Sequence, residues 1–135
     1  MDREFVVDTH ALIWFLEGNS RLGSKAKAVL EDPQNVLYLP VIALAEACWI
    51  VARGRTAIPK VGDLLNDIDR DPRVVVVPLD RAIVEASDAL TVIAEMHDRL
   101  IVATVLQLSS RSSSPMSLLT VDGNITDSGV CPIVW

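Results

Sequence analysis

Two cysteines and two histidines are all that this chain of 135 residues offers to disulfide or soft-metal chemistry. A disulfide scaffold needs more thiols and a zinc site more ligands. Cys48 and Cys131 therefore read as ordinary core thiols, and His10 and His97 as cap or surface residues. No apolar run reaches the roughly 18 residues that span a bilayer. The amino-terminal Met1-Asp2-Arg3-Glu4 passes straight into Phe5-Val6-Val7, without the basic stretch and cleavage site of a secretory leader, so a cytoplasmic location is expected. Basic residues are the minority, 12 against 18 acidic for a net charge of -6, which argues against wrapping nucleic acid on a basic surface. Aromatics are scarce as well, at 4%, and Trp14, Trp49 and Trp135 are expected in the core or at an oligomer contact.

Aliphatic residues are what the chain has in plenty. Half of it is hydrophobic and its mean hydropathy is +0.36, which implies helices with broad apolar faces and leaves surface to bury in an oligomer. The length fits one domain over residues 1–135. Strand and helix signals alternate along it. Glu4 to Asp8 reads as a strand and Thr9 to Glu17 as a helix stopped by Gly18; Ser20 is placed to cap a second helix running to Pro33, and Asn35 to Leu39 is a strand. Pro40 opens a helix from Val41 to Ala52, closed by Gly54, and Pro59 begins an amphipathic one carrying Leu64, Leu65 and Ile68. Arg73 to Val77 has the all-valine composition of a parallel strand buried on both faces. Helices follow over Asp80 to Val92 and Asp98 to Leu108, then a serine-rich loop from Ser109, a strand from Ser117 to Val121, an Asp122-Gly123-Asn124 turn, and a terminal strand from Pro132 to Trp135. This rhythm implies an α/β fold, a three-layer α/β/α sandwich on a mainly parallel sheet, with sites at the carboxyl ends of the strands.

Four acids stand out against that frame. Asp8 and Asp122 end predicted strands, where such a sheet presents ligands, although each can also cap a helix or make a turn. Asp98 starts a helix, where the macrodipole alone gives a negative charge about 0.3 to 1 kcal/mol. Glu46 differs, because its helical neighbours are Ile42, Ala43, Trp49 and Ile50 and no basic residue lies within a turn. Burying it as an anion costs several kcal/mol unless a cation or hydrogen bonds compensate, and the structural alternative is that it emerges into solvent at the helix edge. Four gathered carboxylates would bind a hard divalent cation and so create a local positive spot for a phosphate.

In their order and context these residues resemble the PIN-domain family of metal-dependent ribonucleases, in particular the toxins of VapBC-type toxin-antitoxin pairs. Phe5-Val6-Val7-Asp8-Thr9-His10-Ala11-Leu12-Ile13-Trp14 is similar to the family's opening strand and helix, and Ala43-Leu44-Ala45-Glu46-Ala47 to the helix that carries its glutamate. Asp98-Arg99-Leu100-Ile101-Val102-Ala103-Thr104 resembles the third motif and Leu119-Thr120-Val121-Asp122 the fourth. The chain departs at Glu95-Met96-His97, where many relatives have an Asp-Pro pair, which leaves open whether Glu95 joins the acidic site. Two other phosphoesterase readings lack their parts: no Gly-Asp or Gly-Asn-His motif follows Asp8-Thr9-His10, and no further histidines accompany His97-Asp98.

The resemblance implies a type II toxin that hydrolyses RNA to a 5'-phosphate and a 3'-hydroxyl, with Mg2+ as cofactor and Mn2+ able to substitute. Asp8 and Asp98 would be the principal metal ligands and Glu46 and Asp122 would complete the site. Thr9 and Thr120 are candidates to hydrogen-bond metal-bound water or phosphate, and Arg99 either contacts substrate phosphate or anchors its own helix. Implied partners are RNA, a cognate antitoxin seated on the amino-terminal helices, and a homodimer or toxin-antitoxin hetero-oligomer. The alternatives are another metal-dependent phosphohydrolase and a non-catalytic PIN-like interaction domain.

Overall fold

The short apolar stretches pair side by side in the computed structural model, which describes residues 3–113 and 115–135. Met1, Asp2 and Ser114 lie outside it, and with them part of the amino-terminal tetrapeptide and of the serine-rich loop. In chain order the elements are β1 (Glu4–Val7), α1 (Thr9–Leu16), α2 (Ser24–Glu31), β2 (Val36–Pro40), α3 (Val41–Ala52), α4 (Val61–Arg70), β3 (Val74–Val77), α5 (Arg81–Asp88), α6 (Met96–Ser110), β4 (Ser117–Leu119), α7 (Gly123–Ser128) and β5 (Ile133–Val134). The five strands form one parallel sheet in the order β3-β2-β1-β4-β5, flanked by the helices, as the alternation of strand and helix implies.

At the centre, Phe5, Val6 and Val7 are buried in succession, which requires both faces of β1 to be covered. Its register sets Val7 beside Leu119 of β4, and the amide of Asp8 extends that pairing by donating to the Leu119 carbonyl at 3.1 Å. Because β2 lies on one side of β1 and β4 on the other, the chain's direction of winding reverses here, and a crevice opens at the carboxyl ends of these strands. The helix α6 is buried from Leu100 through Val105, so it is sheathed on every side and fixes its first turn firmly. Helix α3 packs against α1, α4 and α6.

The termini of the elements follow local chemistry. Gly18 takes a left-handed φ of 64° after α1, with its amide donating to Phe15 and that of Asn19 to Trp14, the paired bonds of a Schellman stop. Helix α2 starts at Ser24 with Gly23 at its cap, not at Ser20 as the sequence suggested. A Cβ on Gly23 would sit 2.5 Å from the backbone carbon of Trp135, so the chain needs a glycine there.

Three other expectations change. The valine strand β3 is an edge strand that pairs with β2 alone, and Val75 and Val76 are 43% and 39% exposed, so it is not buried on both faces. Helix α5 ends at Asp88 instead of Val92, although Leu90 beyond it still reaches the core. The segment read as an Asp-Gly turn is the start of helix α7, which Asp122 caps by accepting from the Ile125 amide at 3.0 Å. Among the described residues no helix is long and apolar enough to cross a membrane.

Candidate active site

The crevice gathers the four acids from four different elements. Asp8 follows β1, Asp122 follows β4 at the cap of α7, Glu46 stands in the middle of α3 directly after β2, and Asp98 lies in the first turn of α6. A relay of hydrogen bonds and charge contacts joins them. The Asp122 amide donates to Thr120 Oγ1 at 3.1 Å, and the Thr120 hydroxyl donates to Asp8 Oδ2 at 2.5 Å. Asp8 Oδ1 accepts from the Thr9 amide at 2.7 Å, and the Thr9 hydroxyl lies 3.4 Å from Glu46 Oε1. His97 Nδ1 stands 3.8 Å from Glu46 Oε2 and 3.5 Å from Glu95 Oε1. Glu95 closes the chain by capping α6, accepting from the amides of His97 at 3.1 Å and Asp98 at 3.0 Å.

Burial and mutual repulsion push the carboxyls of Asp8, Glu46 and Asp98 up. Asp8 is raised chiefly by burial, against the opposing hydrogen bonds from Thr120 and Thr9, with His10 lowering it and the charge of Asp122 adding to the rise. Glu46 is raised by burial and by the charges of Asp8 and Glu95, with His97 pulling the other way. Asp98 is pushed up to about 7, by burial first and then by Asp122, Glu95, Asp8 and Glu46. Asp98 thus feels Asp8, Glu46, Glu95 and Asp122 together, which places the four acids in one electrostatic neighbourhood around it. Among the described residues no hydrogen-bond donor reaches the Asp98 side chain.

The chemistry of such a site suits a hard cation. Its donors are all carboxylate oxygens, the set preferred by Mg2+, Mn2+ and Ca2+ over softer metals. Among the described residues no three His, Cys, Asp or Glu side chains already close around one point as a finished cage, so the fit to a hard cation rests on donor type and charge.

The other residues singled out in the sequence fall in different places. Thr9 and Thr120 are each 2% exposed and their hydroxyls face carboxylates, which makes them holders of the acids. Of the two readings of Arg99, the structure has the anchoring one: its Nε donates to the Ile93 carbonyl just before α6. His97, which the sequence left as a cap or surface residue, lies between Glu46 and Glu95. Glu95 was undecided in the sequence and belongs to the same neighbourhood; an acid immediately ahead of a helix start is the signal that finds it. Cys131 is half-buried with its thiol pushed up to about 11 by desolvation, so it stays protonated, consistent with a packing role. Trp49 is not in the core: it is 57% exposed, with the Arg53 guanidinium 3.7 Å from its ring centroid.

The model of the PIN domain matches residues 5–127, a span that includes all four acids. The chain belongs to the PIN-domain family. No curated protein matches it in sequence. Solved structures share its PIN fold at low identity. The VapBC2 complex of Rickettsia felis, bound to a DNA fragment from its promoter, aligns at a TM-score of 0.67 and 13% identity over 96% of both chains. VapC20 of Mycobacterium tuberculosis, a Sarcin-Ricin loop cleaving toxin, gives 0.67 and 15% over 93% of this chain and 95% of that one. A toxin-antitoxin complex from Klebsiella pneumoniae gives 0.59 and 24% over 87% and 86%.

Proposed function

We propose that the acidic crevice of this PIN domain is the active centre of a divalent-metal-dependent endoribonuclease that acts as the toxin of a type II toxin-antitoxin pair in the cytoplasm. The observation that carries this reading is the convergence of Asp8, Glu46, Asp98 and Asp122 from four elements on one crevice at the carboxyl ends of the central strands, within the span matched by the PIN-domain model. Carboxylates gathered in this way repel one another, and a divalent cation offsets that repulsion. Asp8 and Asp98 would be the principal ligands of Mg2+ or Mn2+, with Glu46 and Asp122 completing the set directly or through water.

A bound divalent ion supplies an acidified water as nucleophile and stabilises the departing oxygen of a phosphodiester. The chain's own residues do the positioning. Thr120 and Thr9 hold the two oxygens of Asp8 in a fixed orientation, and the Glu95 cap fixes the first turn of α6 from which Asp98 projects. RNA as substrate is supported by the family and by the fold shared with a toxin that cleaves the Sarcin-Ricin loop. A cognate antitoxin is supported by the toxin-antitoxin complexes among the solved structures of the same fold. An idle interaction domain is disfavoured, because uncompensated like charges would be retained at a cost for nothing.

The test is Asp98→Asn. Cleavage of total RNA in Mg2+ should fall by at least about a thousandfold, as for loss of a principal electrostatic element of catalysis, with the far-UV spectrum unchanged. Calorimetric titration of Mn2+ should show weakened binding in the same variant. Cleavage that persists in EDTA, or Mn2+ affinity equal to wild type, would overturn the assignment.

A further inference from the structure

From Glu46 the surface continues, beyond the acid relay, into an apolar and basic region to which the cleavage chemistry assigns no role. A cavity of about 360 Å³ lies against α3, with Glu46 and His97 on one wall and Ile42, Trp49 and Ile50 as its apolar lining. Trp49 and Ile50 also line a second cavity, of about 740 Å³, that continues past the end of α3. The indole of Trp49 is thus a wall shared by two clefts, one of which reaches the acids. It is 57% exposed although it is among the largest apolar side chains in the protein, and Arg53, one turn on, holds it by lying 3.7 Å from the ring centroid.

The second cleft repeats the pairing of cation and ring. There the Arg21 guanidinium lies 5.9 Å from the centroid of Trp14, and Arg55 forms part of the same lining. In a chain of net charge -6, with acids crowded at the crevice, three arginines interleave with two tryptophans here, and Glu17, the acid in this lining, is engaged by Asn19 Nδ2 at 3.0 Å and the Ala57 amide at 2.8 Å. Such interleaving suits a single strand of nucleic acid, whose bases stack on flat side chains while its phosphates follow the arginines. A peptide helix would instead ask for a continuous apolar groove, and here the apolar lining is interrupted by Glu46, His97 and the arginines.

We propose that Trp49 is a stacking platform for an unpaired nucleobase adjoining the scissile phosphate, and that Arg53, Arg55 and Arg21 guide the RNA strand away from the acids along the second cleft. The inference rests on the ribonuclease reading of the acidic crevice and deepens it by naming the residues that would hold the strand beside the cut. Flat contact without base-edge donors selects for an accessible base and not for its identity.

The test uses the non-cleaving Asp98→Asn protein and fluorescein-labelled oligo(A) RNA of about 12 nucleotides, with an abasic strand of the same length as control, read by anisotropy. In that background Trp49→Ala should weaken oligo(A) binding about tenfold, Trp49→Leu nearly as much, and Trp49→Phe within about twofold, the loss expected of one stacked base. On the abasic strand all four proteins should bind alike. Equal binding of oligo(A) by all four overturns the platform and leaves the ribonuclease reading intact. Retention by Trp49→Leu, or a change of oligomeric state on light scattering in Trp49→Ala without loss of RNA binding, also overturns it and makes the indole a protein contact. If the parent Asp98→Asn protein binds neither strand and the wild type cleaves no RNA, the ribonuclease reading fails and the platform with it.

Discussion

Asp71 and Asp98 are both aspartates at helix ends, and the protein treats them in opposite ways. Asp98 sits in the first turn of α6, where the helix dipole favours a negative charge, and Asp71 caps the carboxyl end of α4, where the dipole opposes one. From the dipole alone Asp98 should be the more acidic. Instead Asp71 is held below its usual range, chiefly by its hydrogen bonds with Arg73, while Asp98 is pushed up to about 7 by burial and four neighbouring acids. Side-chain neighbours outweigh the dipole in both cases. The Arg73 fork shows what satisfaction looks like: Nε lies 3.0 Å from Asp71 Oδ1 and Nη2 2.8 Å from Oδ2, with Nη1 donating onward to the carbonyls of Leu30 and Asp32. One aspartate is a finished structural joint, and the other is held among like charges with no basic partner beside it among the described residues.

The comparison can be broken from the functional side at Thr120. Replacing it by valine keeps the volume but removes the donor to Asp8 Oδ2 and the acceptor of the Asp122 amide, two links of the relay at once. As a positioning residue it should affect metal affinity, by about 10- to 100-fold, the usual consequence of losing a partner that orients a ligand. Thr120→Ser should recover most of the loss. Mn2+ titration followed by RNA cleavage at saturating metal separates the two effects; wild-type affinity in Thr120→Val would mean that the relay does not orient the acids.

Breaking the satisfied joint should cost stability and leave activity alone. In Arg73→Leu the Asp71 carboxylate and the Leu30 and Asp32 carbonyls lose the guanidinium, while the backbone amide of position 73 still donates to Asp71 and that of Asn35 to Asp32, and the fold should be destabilised by about 1 to 3 kcal/mol. Urea unfolding measures the loss, and Mn2+ affinity should stay at the wild-type value. A change in metal affinity would show that β3 and the crevice are coupled, contrary to the separation drawn here.

Much of this contrast was legible in the sequence, and the gaps have physical causes. The parallel sheet and its helices follow from the alternation of short aliphatic runs with helical spacing, and the four acids from their positions at the ends of those runs. Glu46 was the most telling of them, since nothing in its own helix could offset its charge. Sequence spacing cannot show contacts made across the fold. Position 23 must be a glycine because Trp135, at the other end of the chain, leaves no room for a side chain. The valines of β3 read as buried because composition reports a parallel strand but not its place at the edge. Helix α7 was hidden because its Asp-Gly start is also a turn signal. Of the two places expected for Trp49, core or oligomer contact, its exposure removes the first, and the arginine that holds it one turn away carries no signal of its own.

The two aspartates should finally separate in how they make stability depend on pH. Asp71 has a depressed value, so its contribution is complete above the ordinary aspartate range and is lost as pH falls through its folded value, below about 4. Asp98 has the opposite sign. In metal-free protein its folded form binds a proton that the unfolded chain releases near pH 4, so stability falls as pH rises from about 4 to about 7. Because Asp98 is partly open to solvent the effect is damped, and a melting temperature lower by about 3 °C at pH 8 than at pH 5, in EDTA at constant ionic strength, is the expected size. Asp98→Asn should flatten that slope and leave the acid limb untouched, whereas Asp71→Asn should flatten the acid limb alone. Saturating Mg2+ should also remove the slope in the wild type, because a cation that binds only the folded, ionised acids competes with the proton for them. A slope that persists in Asp98→Asn would mean that the cost of gathering the acids is spread over Asp8 and Glu46, whose burial also raises them, and is not concentrated at Asp98.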